Sequence, residues 1–289
     1  MPLNSAMVGR STDWFEHHVD ARWTMAYAAS LRDFNPLYLD TDAQAVIAHP
    51  IFPVCLEWPP ILATRALANN QHLSDAEARR GIHAAHDLHL LKPIRANTTL
   101  RTRATMIAIK KIAPGAAYTM RLDSIDENDD LVCRTYQLSI YRDVDVTGGD
   151  QQSEDLPTPP VFDAAAMTPH GTLSISAGDA HTYTECARIF NPIHTDRAVA
   201  LAAGLPDIIL HGTATLAFAV SALVNKLTDG HPERVKRIGG RFAAMVPMPN
   251  ELVLQVSPTR ADPLGSGVGF QVLNQAGETA ISRGFFTYA

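Results

Sequence analysis

Apolar positions along the chain switch between two periods, and the switch occurs twice. From Thr213 to Leu227, Leu216, Val220, Leu223 and Leu227 recur at helical spacing, with alanine and phenylalanine filling much of the remainder. A helix apolar on most sides is a buried one. Thr24–Leu31 and Tyr183–Arg188 read as shorter helices, each just ahead of an Asn-Pro pair. Pro36 and Pro192 exclude the α region for the residue before them, so a turn is expected at each. Strand-like segments follow, at Leu100–Lys110, Tyr118–Ile125 and Leu131–Tyr141, then at Leu252–Arg260, Gly267–Leu273 and Thr279–Tyr288. Asp129-Asp130 and Gln275-Ala276-Gly277 fall where hairpin turns would close. A buried helix followed by antiparallel strands predicts an α+β layer arrangement, the helix covering one face of a curled sheet.

The two rounds are copies. Asp33-Phe34-Asn35-Pro36-Leu37-Tyr38-Leu39-Asp40 recurs as Ile189-Phe190-Asn191-Pro192-Ile193-His194-Thr195-Asp196, an offset of 156 residues. Lys92-Pro93-Ile94-Arg95-Ala96-Asn97 is echoed by Val246-Pro247-Met248-Pro249-Asn250, an offset of 154 when Pro93 is set on Pro247. Two landmarks at nearly one offset imply tandem domains, placed at residues 1–143 and 163–289. Residues 144–162 contain glycines, acids and prolines without an apolar period, which suits an exposed linker stiffened in part towards polyproline II.

Composition narrows the function classes. The 289 residues are 46% hydrophobic, enough for a sizeable core, and carry 24 basic against 30 acidic side chains for a net charge of −6. Without a Lys/Arg cluster such a chain gains little from counterion release, so a nucleic-acid partner is not expected. Cys55, Cys133 and Cys186 are too scattered for a zinc ladder, and their odd number argues against a secreted disulfide framework. No apolar run reaches ~18 residues, so no membrane span is expected. Met1-Pro2-Leu3-Asn4 lacks a signal-peptide shape, and a cytoplasmic protein is the expectation. No dinucleotide fingerprint, P-loop or nucleophile elbow appears. His83, His86 and His89 invite a metal, but strand alternation puts His86 on the face opposite the other two, and none is expected. Lys110-Lys111 and Arg234, Lys236 and Arg237 read as solvated strand ends.

Asn191-Pro192-Ile193-His194, then Ala203-Gly204-Leu205, then Ile209-Leu210-His211-Gly212-Thr213, resemble the MaoC-type (R)-specific enoyl-CoA hydratases and dehydratases. That resemblance implies a hot-dog fold, and the two copies imply its double, type 2 form. Gly81–Pro93 also resembles the family's first-half segment leading into its strands. The implied chemistry is reversible addition of water to a 2-enoyl thioester, with CoA as part of the substrate and no cofactor. An acid–base group and a donor for the enolate-like oxygen are needed. The resemblance assigns these to His194 and Asn191 and to the Gly212 N–H at the start of the long helix, with His211 and Thr213 beside the substrate.

The transfer is incomplete. Ile189 stands where the family has Asp, and isoleucine neither accepts nor donates a proton. The first half has Asp33 and Asn35, but Tyr38 replaces the histidine. Aligned on Phe52-Pro53, Val54 falls near the position of Gly212, and Pro59-Pro60 are expected to interrupt an early helix turn. Each half therefore carries part of a site. Asp33 is a candidate catalytic carboxylate as well as an ordinary Asx-turn residue. Glu185 and Asp196 are other candidates for the missing acid, and Asn35 and Tyr38 are assigned to substrate binding. The proline-rich Phe52–Ile61 is expected to shape the acyl pocket. Three functions stay open: a hydratase or dehydratase on acyl-CoA, a degenerate thioester binder or partner subunit, and a hot-dog thioesterase. A monomer is geometrically possible and a homodimer equally so. A histidine without a carboxylate partner should be neutral at pH 7 and act as a base, with activity rising as pH passes its pKa within pH 5.5–9.

Overall fold

The computed structural model describes residues 2–42, 45–67 and 73–289. Its principal strands are β1 (Phe15–Val19), β2 (Gly81–Leu90), β3 (Thr98–Ile112), β4 (Gly115–Ile125), β5 (Leu131–Arg142), β6 (Thr168–Ile175), β7 (Val235–Phe242), β8 (Asn250–Val256), β9 (Gly265–Leu273) and β10 (Thr279–Tyr288). They form one antiparallel sheet in the order β1-β3-β4-β5-β2-β7-β10-β9-β8-β6. Read from either end, this order is the same under the repeat, β1 corresponding to β6 and β2 to β7. The copies are thus fused edge to edge where β2 pairs with β7, His89 lying opposite Arg237 and Ala85 opposite Arg241. Gly239 permits that closure, because a Cβ there would stand 2.3 Å from the His86 carbonyl oxygen and from the Phe285 ring.

Each copy wraps its sheet around one helix. In the second half this is α4 (Gly212–Leu227), with α3 (Asp179–Ala187) ahead of it; in the first half it is α2 (Pro53–Ala63), preceded by α1 (Ala21–Ser30). Leu216, Val220 and Leu223 of α4 are fully buried in one cluster with Ile238, Phe270 and Phe286 of the sheet. Each such side chain contributes about 1.5–3 kcal/mol. The halves also meet at Tyr27 and Tyr183, 156 residues apart, whose hydroxyls bond at 3.2 Å. Equivalent residues touching each other mark the pseudo-twofold axis of a double hot-dog.

Several expectations change. Pro59 and Pro60 do not break α2: the helix runs through both and ends at Ala63, shorter than α4, at 11 residues against 16. Residues 144–162 are not featureless, since Val146–Thr147 pairs with Leu3–Asn4 and Gln151–Gln152 pairs with β3. Arg237 is not a solvated strand end. It forms a two-pronged bond to Asp87 across the seam, at 2.8 and 2.7 Å. Burial raises the Asp87 pKa, but bonds from Arg237 and His89 outweigh it and leave the group below its ordinary value.

The alternation argument for His83 and His86 also fails. A bulge between His83 and Ala85 slips the register against β5 and turns His83 onto the face of His86, their ring centroids 5.4 Å apart. No group of potential metal ligands forms among the described residues.

Candidate functional site

The second Asn-Pro pair opens a single 3-10 turn, Pro192–His194, that aims His194 at the start of α4. His194 Nδ1 lies 2.8 Å from the Ile209 carbonyl. A carbonyl only accepts, so Nδ1 carries the hydrogen and Nε2 presents a lone pair. Burial lowers the His194 pKa to about 4, with the Ile209 hydrogen bond pulling the other way, so the ring is neutral at pH 7. It stacks on His211, centroids 3.7 Å apart. His211 is 2% exposed and bonds Thr184 Oγ1 through Nε2 at 3.1 Å. Burial, and then the proximity of His194, hold it neutral as well.

Gly212 follows His211 as the first residue of α4. Asp20 caps α1, and Asp196 caps the helix Arg197–Ala202, but no side chain caps α4. Its first N–H groups are left without an intrahelical acceptor, and the helix dipole makes that end attractive to negative charge. A Cβ at position 212 would meet the Phe242 ring at 2.9 Å, so glycine is what lets the helix start this close to β7. Thr213 reaches the Tyr183 hydroxyl. Asn191 precedes the turn, half-buried, without capping it. Ile189 is 6% exposed and joins the apolar core. Neither stand-in acid partners His194: Asp196 Oδ1 accepts from the backbone of Ala198 and Val199, and Glu185 is exposed on α3.

The first half builds a different site from equivalent positions. Ala48 N donates to Ile94 O as Leu210 N donates to Val246 O. This register sets His49 on His211 and Pro50, not Val54, on Gly212. It also lies two residues from the Pro93–Pro247 match used to align the sequence. A proline has no N–H, so the oxyanion donor is absent here. Tyr38 occupies the place of His194, fully buried, its ring 5.6 Å from His49. Asn35 is committed to structure, accepting from Leu37 N at 2.9 Å and donating to Gly230 O at 2.6 Å.

Asp33 is 5% exposed, and burial raises its pKa against weaker contacts to Ser221, Asn35 and Asn225. It lines a cleft of about 420 Å³ with Asn35, Phe218, Ser221 and Asn225. Ser221 is nine residues along α4 from Gly212, roughly 13 Å at 1.5 Å per residue. The structure therefore brings His194, His211, Gly212 and Thr213 together, leaves Asp33 and Asn35 in a separate cleft beside Ser221, and buries Tyr38 against His49. Asp33 does not complement His194.

Three further residues belong to this description. His49 escaped notice because the repeat's offset drifts between the Asn-Pro turn and the helix. Phe242 gave no motif, although its ring fixes the position of Gly212. Arg188, the counterpart of Arg32 by the 156-residue offset, lies with its guanidinium 3.8 Å from the Trp23 ring centroid. Both arginines sit at positive φ, 55° and 57°, just past a helix.

Residues 164–275 match the family model described as "MaoC like domain", and residues 6–134 match "FAS1-like, dehydratase domain region". The peroxisomal enoyl-CoA hydratase 2 of Arabidopsis thaliana is 43% identical over 65 residues, 22% of this chain and 21% of that protein. The matched stretches span about a fifth to a third of the curated relatives matched first. Among solved structures, a MaoC-like dehydratase from Phytophthora capsici superposes with a TM-score of 0.82 at 18% identity, covering 96% of this chain and 95% of that one. A double hot-dog protein of Mycobacterium tuberculosis superposes with a TM-score of 0.64 at 17% identity, covering 96% and 94%. At these identities the structural likeness speaks for the fold.

Proposed function

The chain belongs to the MaoC-like dehydratases in their double hot-dog form, and from that premise we propose that it adds water reversibly to a 2-enoyl-CoA, giving a 3-hydroxyacyl-CoA. The single observation that carries the reading is a neutral imidazole, its Nε2 without a hydrogen-bond partner among the described residues, beside an uncapped helix start. His194 Nε2 takes a proton from water as the water oxygen bonds to C3. The C2–C3 π electrons move onto the thioester, and the enolate oxygen takes the hydrogen bond of the Gly212 N–H. The imidazolium then returns its proton to C2. Water is added across the double bond, and His194 ends as it began. One group serves as base and acid because Ile189 supplies no second one. CoA enters as part of the substrate, and no cofactor takes part.

Ile189 also favours a second reading, a thioester-binding member without turnover. Gly212→Ala tests the oxyanion role. The added methyl must displace the Phe242 ring or the helix start. Complete loss of an oxyanion donor costs roughly 10²–10³ in kcat, so a displaced one should cost at least about tenfold, with KM little changed. Steady-state kinetics on crotonyl-CoA read this directly. An alanine variant with native kcat would remove Gly212 from the mechanism.

A further inference from the structure

The inner face of the sheet next to Gly212 is polar where a pocket for a plain hydrocarbon tail would be apolar. His83 lies opposite Ser139 and His86 opposite Gln137 in the β2–β5 register. Opposed residues on neighbouring strands share a face, and His86 alternates with the fully buried core residue Leu88, which makes that face the helix side. The bulge between His83 and Ala85 adds His83 to it. Four polar side chains thus meet in a hydrophobic domain, and they begin one aromatic ring from the proposed oxyanion donor. The His83 ring lies 4.8 Å from Phe242, whose own ring contacts Gly212.

Two features separate this cluster from a satisfied polar core. His86 is 1% exposed, and neither of its ring nitrogens has a hydrogen-bond partner among the described residues. Buried polar atoms without partners are rare, because each forfeits its hydration for nothing. Gln137 Nε2 donates to Ser139 Oγ at 3.1 Å and leaves the two imidazole nitrogens unserved. His83 in turn remains half-buried although it faces inward, so the sheet and helix do not close over it.

Resting on the thioester reading above, we propose that His86, with His83, Gln137 and Ser139, forms a polar end to the acyl pocket and selects chains carrying an uncharged hydrogen-bonding group, a hydroxyl or a carbonyl. The preference for an uncharged group follows from the surroundings. Burial holds His83 and His86 neutral, so the cluster offers donors and acceptors but no cation. The acidic group facing this layer from α2 is Glu57, bonded to Thr135 two residues before Gln137, and a carboxylate-ended tail would give up its hydration there without a cation to pair with.

The test is binding, so it is readable whether or not the chain turns over. Octanoyl-CoA, ω-hydroxyoctanoyl-CoA and the mono-CoA thioester of octanedioic acid are titrated calorimetrically into the native protein. The same titrations are made with His86→Leu and with His86→Gln, which keeps a donor and an acceptor. The hydroxylated chain is expected to bind at least about tenfold more tightly than the plain one, as when a site's buried polar groups are served rather than left unpaired. His86→Leu should bring the two within about twofold, and His86→Gln should retain most of the preference. Equal or tighter binding of octanoyl-CoA by the native protein overturns the proposal, as does tightest binding of the carboxylated chain. So does a preference that survives His86→Leu. The native comparison decides by itself if the leucine variant does not fold. If none of the three thioesters binds, the thioester reading fails together with this one, whereas binding without the preference removes this one alone.

Discussion

His194→Ala is expected to lower kcat for crotonyl-CoA hydration by at least ~10²-fold, the scale of a lost general acid–base group. Asp33→Asn should stay within a few-fold of native. The contrast follows from where the two groups sit. His194 stacks on His211 at the start of α4, and Asp33 touches Ser221 and Asn225 more than two turns along it. Proton transfer needs hydrogen-bond reach or one bridging water, and that separation offers neither. Parallel kcat measurements decide it, and equal losses in the two variants would place the reaction in the wrong cleft. The pH profile expected from the sequence also moves. With its pKa lowered to about 4 by burial, His194 is already a free base at pH 5.5, so its titration produces no limb within pH 5.5–9.

Mild acid should destabilise the protein before that limb is reached. His49, His86 and His211 are at most 2% exposed, and burial is the largest cause of a lowered pKa in each, to about 3 for His49 and about 4 for His86. A histidine with a depressed folded pKa stays neutral in the native state and takes up its proton on unfolding once pH falls below about 6.5. The unfolded state then binds more protons, and stability declines as pH drops through that value. At pH 5 His49, His86 and His194, with pKa values of about 3, 4 and 4, each cost about 2 kcal/mol, taking 1.36 kcal/mol per unit over 1.5 units. Glu57 acts oppositely. Burial raises its pKa to about 7, so its protonation between pH 7 and 4.5 favours the folded state and offsets roughly one of the three histidines. The balance is a loss of about 4 kcal/mol between pH 7 and pH 5, a large part of a typical 5–15 kcal/mol. His83 and His211 shift the same way. Urea midpoints measured from pH 7.5 to 5 should fall throughout; a midpoint that holds or rises would show these imidazoles to be solvated.

The duplication could be read because the Asn-Pro turns are local signals, and proline imposes its geometry whatever surrounds it. The strands were visible for a related reason: alternation survives wherever one face is buried, and β10 runs over the predicted residues, Thr279–Tyr288. Features that depend on contacts between distant segments were not visible. Fusion of the copies into one sheet rests on Gly239 and on the Arg237–Asp87 bond, which join residues far apart in the chain. The bulge beside His83 is a register shift against β5, and no run of residues in β2 announces it. Pairing His49 with His211 required the bond from Ala48 to Ile94, because insertions between the landmarks had displaced the alignment. At the site, the grouping of His194 with Gly212 followed from motif order, whereas the isolation of Asp33 became evident only from its place along α4.

The central claim is that an imidazole and a helix-start amide act together on a 2-enoyl thioester, and the most direct measurement follows two signals in one cuvette. Absorbance of the enoyl thioester reports water addition, and a thiol reagent reports hydrolysis. The native protein should bleach the enoyl band of crotonyl-CoA, regenerate it from the (R)-3-hydroxybutyryl thioester, and release no thiol. Thiol release with the enoyl band intact would make the protein a thioesterase, and binding with neither signal would leave it a thioester carrier without this chemistry; either result contradicts the account.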